Sequence, residues 1–282
     1  MNDRDRKPSS HAHASHATPI SAEAAVELER LRTRLSDVIF EIDDIELQIN
    51  PAIKRDYAVK IACFENDLLK ADIEARRAKR KLAIARAQAN RGESIAEDLI
   101  ESVLQDEFAS WEASLKEHLD DYLKRLEERA STRAISTHDS RELKRLHRLL
   151  IKRLHPDTNI GHEEECERFF LLAQAAYENG DIDLMRSVEA ATTHLESGGR
   201  APETEDEAQA EIAIVQARID IAQGKLHVLK TSNPYALKEK LDDAQWVAET
   251  VMDLKERTAQ HRRARDYYLD EYGSLKEGGC RE

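Results

Sequence analysis

Leu28, Leu31, Leu35, Val38, Ile42, Ile45 and Ile49 alternate spacings of three and four residues across three heptads. That pattern commits the chain from about Ser21 to a helix with one apolar stripe, and the stripe demands a helical partner. Each such side chain is worth roughly 1.5–3 kcal/mol when it leaves water. The composition agrees: 35% of residues are charged, only 5% are aromatic, and there are 9 Gly and 6 Pro. Such a chain is expected to be all-α, built of long antiparallel helical arms with coiled-coil character rather than around one large globular core.

The same rhythm recurs along the chain. Asn50-Pro51 predicts a corner or kink, because proline lacks an N–H and its ring crowds the preceding turn. A second helix then runs to about Asn90, with Tyr57, Ile61, Phe64 and Leu68 followed by the small residues Ala71, Ala75, Ala78, Leu82, Ala85 and Ala89. Asn90-Arg91-Gly92 reads as a stop, with Gly92 suited to a left-handed cap. A third helix, from about Glu93 to Ala130, carries Leu104, Phe108, Trp111, Leu115, Tyr122 and Leu126, and Phe108 and Trp111 are expected in the core rather than lining a client pocket. Near the C-terminus, Ile212, Val215, Ile219, Ala222, Leu226 and Leu229 lead to the turn Thr231-Ser232-Asn233-Pro234. Leu237, Leu241, Ala244, Val247 or Ala248, Val251 and Leu254 return, predicting a hairpin with Trp246 packed inside it.

Between these arms lies LKRLHRLLIKRLHPDTN, Leu143 to Asn159, followed by FFLLAQAAYENGD from Phe169 to Asp181. Leu143, Leu146, Leu150 and Leu154 form an apolar stripe, while Arg141, Lys144, Arg145, Arg148, Lys152 and Arg153 make the remainder basic. Asp139 and Glu142 fit a capping box at the start of this helix. Pro156 disfavours helical geometry at His155, so the helix is expected to stop near Leu154 and present His155 and Asp157 in a loop. The segment resembles the J domain of Hsp40 co-chaperones, of a divergent bacterial type. The family's helix II pattern YRKLA-x-KYHPD is matched by Arg148, Leu150 and Arg153, which stand seven, five and two residues before His155. Its helix III pattern F-x-x-x-NEAY is matched by Phe170, Gln174, Ala175, Ala176 and Tyr177. The Y-x-x-LG segment of helix I is not visible, Thr158 replaces the usual Lys, Leu154 replaces the usual aromatic, and no zinc modules are present. The helix ending near Ala130 is the expected substitute for helix I.

The resemblance implies a binding task. In that family the HPD loop and the basic face of helix II dock on ATP-bound Hsp70 and stimulate its ATP hydrolysis. His155, Pro156, Asp157, Arg145, Arg148, Lys152 and Arg153 are the Hsp70-binding residues implied here. The chain is then expected to divide into a tail 1–19, an N-terminal arm 20–130, a J-like module 136–195, a linker 196–204, a C-terminal hairpin 205–272 and a frayed end 273–282. The arms would select a client or partner, and their seams leave a homodimer open. The alternative is a coiled-coil scaffold whose J-like module no longer couples to Hsp70.

Other chemistries find little footing. A net charge of -13 disfavours a dedicated nucleic-acid binder. The basic run from Lys70 to Arg91 is flanked by acidic helices and lacks interleaved aromatics, so charge pairing is its simpler role. Cys63, Cys166 and Cys280 form no CxxC pair, and the loose His11, His13 and His16 suggest a solvated tail rather than a metal site. His162, Glu163, Glu164 and Cys166 are read as an acidic first helical turn, not as metal ligands. With no nucleophile elbow, phosphate loop or metal motif, the chain is read as no enzyme and as needing no cofactor. No signal-peptide h-region or bilayer-length apolar run is visible, so a cytoplasmic setting is expected.

Overall fold

The computed structural model describes residues 19–131, 136–157, 163–193, 195 and 201–278. The tail histidines, Thr158, His162 and most of the 196–204 linker lie outside the described residues. The fold is all-α, with no strand among the described residues and a single isolated bridge between Pro19 and Thr204. In chain order the helices are α1 (Ala22–Asp43), α2 (Asn50–Tyr57), α3 (Cys63–Asn90), α4 (Glu97–Ser131), α5 (Thr137–Leu154), α6 (Glu163–Asn179) and α7 (Ile182–Ala191). They are followed by α8 (Glu205–Thr231), the short α9 (Lys238–Asp242) and α10 (Ala244–Gly278). Two compact units result: Met1–Asp44 with Ile135–Val228, and Ile45–Ala134 with Leu229–Glu282.

This division corrects the expected domains. The 20–130 arm is not one body, because α1 belongs with α5, α6 and α7 in the first unit. The module expected at 136–195 therefore extends back to α1 and forward into α8. Nor do 205–272 form a hairpin: α8 joins the first unit up to Val228, while α10 packs along α3 in the second. The end is not frayed from 273, since α10 continues to Gly278, Tyr272 is buried and Lys276 Nζ reaches Glu97 Oε2 at 2.6 Å. The physical reason is common to all these cases. A stripe of threes and fours specifies that a helix will be buried, but not by which other helix.

In the first unit α1 buries Leu28, Leu31, Leu35, Ile39, Phe40 and Ile42. Its partner α5 buries Leu143, Leu146, Leu150, Leu154, His147 and Ile151, the four leucines read from the sequence among them. Ion pairs give the direction. Asp44 just after α1, and Asp37 and Glu29 within it, meet Lys144, Arg148 and Lys152 of α5 in turn, so the two helices run antiparallel. The cap of α5 sits a turn earlier than predicted: Ser136 Oγ accepts from the Asp139 N–H at 3.1 Å, leaving Glu142 to pair with Arg186 of α7. Gly180, at φ +67, closes α6, and the Asp181 side chain caps α7 by accepting from the Leu184 N–H at 2.9 Å.

At Asn50-Pro51 the backbone stays helical. A π-helical stretch, Asp44–Ile49, precedes it, and this wider turn accommodates a proline that can neither donate nor fit under an α-helical carbonyl. A second π-helical stretch, Ala58–Ala62, leads into α3.

In the second unit α3 lies between α4 and α10. One core cluster gathers Ile73, Leu82, Ala85, Ile100, Leu104, Phe108 and Tyr272. The other gathers Ile53, Ile61, Leu241 and Leu254, with Trp246 packed against it. Trp246 thus packs on the α2 side rather than inside an α8–α10 pair. Gly92 takes the predicted left-handed conformation, φ +69, after α3. Trp111 is no core residue, being 42% exposed under the Arg76 guanidinium at 5.1 Å. The basic run is charge-paired: Arg80 with Glu107, Arg77 with Glu101 and Glu112, and Arg86 with Glu271. No described helix is long and apolar enough to cross a membrane.

Leu150, fully buried in the C-terminal half of α5, is expected to be among the residues on which the first unit most depends. Leu150→Ala should cost about 2–5 kcal/mol, read as a lower denaturation midpoint at unchanged slope in urea.

Candidate functional site

The loop after α5 is built as the sequence requires. His155 caps the helix at φ -65, ψ 132, the extended geometry imposed by Pro156. Its N–H still bonds the Ile151 carbonyl at 3.0 Å, so the helix ends one residue short of proline with its ladder complete. Leu154 is buried beneath the loop, His155 is half-buried, and Pro156 and Asp157 are exposed.

Two ring contacts orient the helices flanking the loop. His147 stacks on Tyr177 with centroids 4.0 Å apart, and His155 meets the edge of Phe170 at 4.8 Å. Going forward on α5 means going backward on α6, so the two are antiparallel with the loop at their shared tip. Phe170 and Tyr177, both buried, thus hold the two ends of this contact.

His155 also shapes the bend itself. The Asp157 N–H donates to His155 Nδ1 at 3.0 Å, which leaves any ring proton on Nε2 and fixes the neutral tautomer. Burial holds the imidazole below its ordinary pKa of 6.5, against the opposing pull of Asp157 and Asp43. Asp157 is engaged from another side as well. Arg218 Nη1 of α8 donates to its carbonyl at 2.7 Å and stands 3.8 Å from its carboxylate.

Beneath the loop α1 supplies a polar layer that sequence reasoning missed. His147 is fully buried, and its Nε2 lies 3.0 Å from Asp43 Oδ2. Gln174 Nε2 reaches the same oxygen at 3.4 Å. Tyr177 donates its hydroxyl to Asp44 Oδ1 at 2.6 Å, and burial together with that carboxylate pushes the phenol pKa upward. His147 Nδ1 has no hydrogen-bond partner among the described residues. Adjacent acids at the end of an apolar seam, Asp43-Asp44, were the available signal: an acid pair facing inward needs buried partners.

The implied Hsp70-binding residues fall into groups. His155, Pro156 and Asp157 come together at the tip. Arg145 is exposed and forms no ion pair among the described residues. Arg148 is also exposed, but it lies over the Phe40 ring at 4.4 Å and 3.5 Å from Asp37. Lys152 bonds Glu29 at 2.6 Å. Arg153 turns away from the basic face, donating to the Glu189 carbonyl and Thr192 Oγ1 at the end of α7. Its role there is that of a cation at a helix C-terminus. The helix packed against α5 from the N-terminal side of the chain is α1, not the helix that ends near Ala130, which lies in the other unit. No cluster of three or more metal-ligating side chains occurs among the described residues.

Comparison of the chain with models of known families, with curated proteins and with solved structures finds no match.

The depressed pKa of His155 sets a sign for stability. The folded state holds fewer protons at this ring than the unfolded state. Stability therefore rises with pH through the window below 6.5 and is lost as pH falls through the folded value. Denaturation measured from pH 7 down to 5 should show this loss, and His155→Gln should flatten that part of the slope.

Proposed function

We propose that the chain is a co-chaperone that docks the His155-Pro156-Asp157 loop on an ATP-bound Hsp70 and stimulates its ATP hydrolysis. The observation that supports this reading is the loop's setting: an exposed Pro-Asp bend at the tip of two antiparallel helices, its histidine packed on Phe170 and bonded within the bend. A surface turn of no function has little need of such preorganisation. With α1 braced against α5, the unit has the three-helix support that the resemblance calls for. Arg145 and Arg148, about two to three turns back along α5 from the bend, supply exposed positive charge that steers encounter with an acidic partner at a salt-sensitive rate. Pro156 and Asp157 supply directional contact that charge alone lacks.

A second reading, a scaffold uncoupled from Hsp70, draws support from Lys144 and Lys152, whose ammonium groups are already matched by Asp44 and Glu29 on α1. One experiment separates the two. Single-turnover ATP hydrolysis by a cognate Hsp70 should accelerate on adding the chain, and His155→Gln or Asp157→Asn should remove the acceleration. Equal rates with and without the chain would leave the scaffold reading standing.

Under the co-chaperone reading the Arg218 guanidinium competes with the partner for Asp157. Arg218→Ala should therefore raise stimulation at sub-saturating chain concentration, with a smaller effect at saturation.

A further inference from the structure

Helix α8 is apolar on two nearly opposite faces. Ala208, Val215, Ile219 and Leu226 are buried within the chain. The other face carries Ile214, Ile221 and Val228, spaced by seven and 48%, 75% and 60% exposed. Ala217 and Gly224 follow the first two of these by three residues, and both are exposed. Positions at intervals of seven and three are the a and d sites of a coiled coil, so this face repeats the seam rhythm that elsewhere in the chain is buried. A helix apolar all round belongs in an interior. Here one side is left uncovered by the described residues.

Gly224 adds an independent observation. It stands mid-helix, where glycine costs about 1 kcal/mol relative to alanine. A Cβ built there would meet nothing within 4 Å. Close approach by a second backbone is what glycine and alanine at d would permit.

Charge selects both partner and direction. Asp220 occupies the g site, and Lys225 the e site five residues on. In a parallel, in-register pair, Asp220 of each copy faces Lys225 of the other, making two complementary pairs. An antiparallel pair would instead set the e-site cations Arg218 and Lys225 against one another. Asp220 keeps its carboxylate at the surface, bonded only to Gln216 one turn back at 3.0 Å among the described residues.

We propose that the Ile214–Val228 face of α8 is the seam of a parallel, two-fold homodimer of this chain. The proposal stands independently of any coupling to Hsp70.

Sedimentation equilibrium of the full chain from roughly 1 to 100 μM spans the affinities expected of a seam this short. It should show a species of twice the 32.2 kDa chain mass. Ile221→Asp should raise the dissociation constant on the order of thirtyfold, as loss of a central apolar contact does. Met252→Asp, at another exposed apolar site, 67% exposed on α10, should leave it unchanged. Circular dichroism checks that both variants keep their helix content. Asp220→Lys should weaken the dimer, and adding Lys225→Asp should restore it. A chain monomeric throughout, or a dimer indifferent to Ile221→Asp, overturns the seam. A dimer weakened by Ile221→Asp but indifferent to the charge reversal overturns the parallel register.

Discussion

The first unit depends on the contact between α1 and α5, and within it on the pairing of His147 with Asp43. Apolar stripes alone would let two helices slide by a turn at modest cost. A fully buried imidazole 3.0 Å from a carboxylate does not allow that, because slippage would leave both groups buried without partners. Gln174 and Tyr177 bring α6 to the same pair of acids, so one polar layer sets the register of three helices. Once that register is set, Phe170 arrives beside His155 and the bend is held in one shape.

Function, on the reading proposed here, follows from this rigidity. The loop's described part, His155–Asp157, starts at a proline-imposed helix end and carries its own internal hydrogen bond from the Asp157 N–H to His155. Binding such a bend forfeits little conformational entropy, so a modest number of contacts can be specific. The internal charge pairs along α5 moderate its basic face. Asp44, Asp37 and Glu29 meet Lys144, Arg148 and Lys152, while Arg145, about three turns back from the tip, is exposed and forms no ion pair among the described residues.

Much of the local structure was legible from residues. Leu143, Leu146, Leu150 and Leu154 are buried as their spacing requires, Gly92 caps α3 in the left-handed region, and Pro156 ends α5. Where reading by spacing erred, another local geometry or a tertiary partner competed successfully. Ser136 displaced Asp139 as the cap of α5, Trp111 found a cation at the surface rather than a core, and Pro51 was carried through a helix by a π turn. Arg153 looked like part of a basic docking face, yet the carbonyl end of α7 lies within its reach. Of these outcomes only the Ser136 cap has a marker in local spacing, the Ser-x-x-Asp run from Ser136 to Asp139.

The sequence by itself determined that this protein is helical, where most helices begin and end, and that a histidine and an aspartate flank a proline at one helix tip. These are decisions of backbone dihedrals and of three- and four-residue periodicity, settled within a few turns of chain. Only the tertiary structure decided which seams meet: that α1 braces α5 from 100 residues away, and that α3 lies between α4 and α10. Apolar stripes of equal period are interchangeable partners. The choice among them falls to buried hydrogen bonds and matched charges, which exist only once the chain has come together.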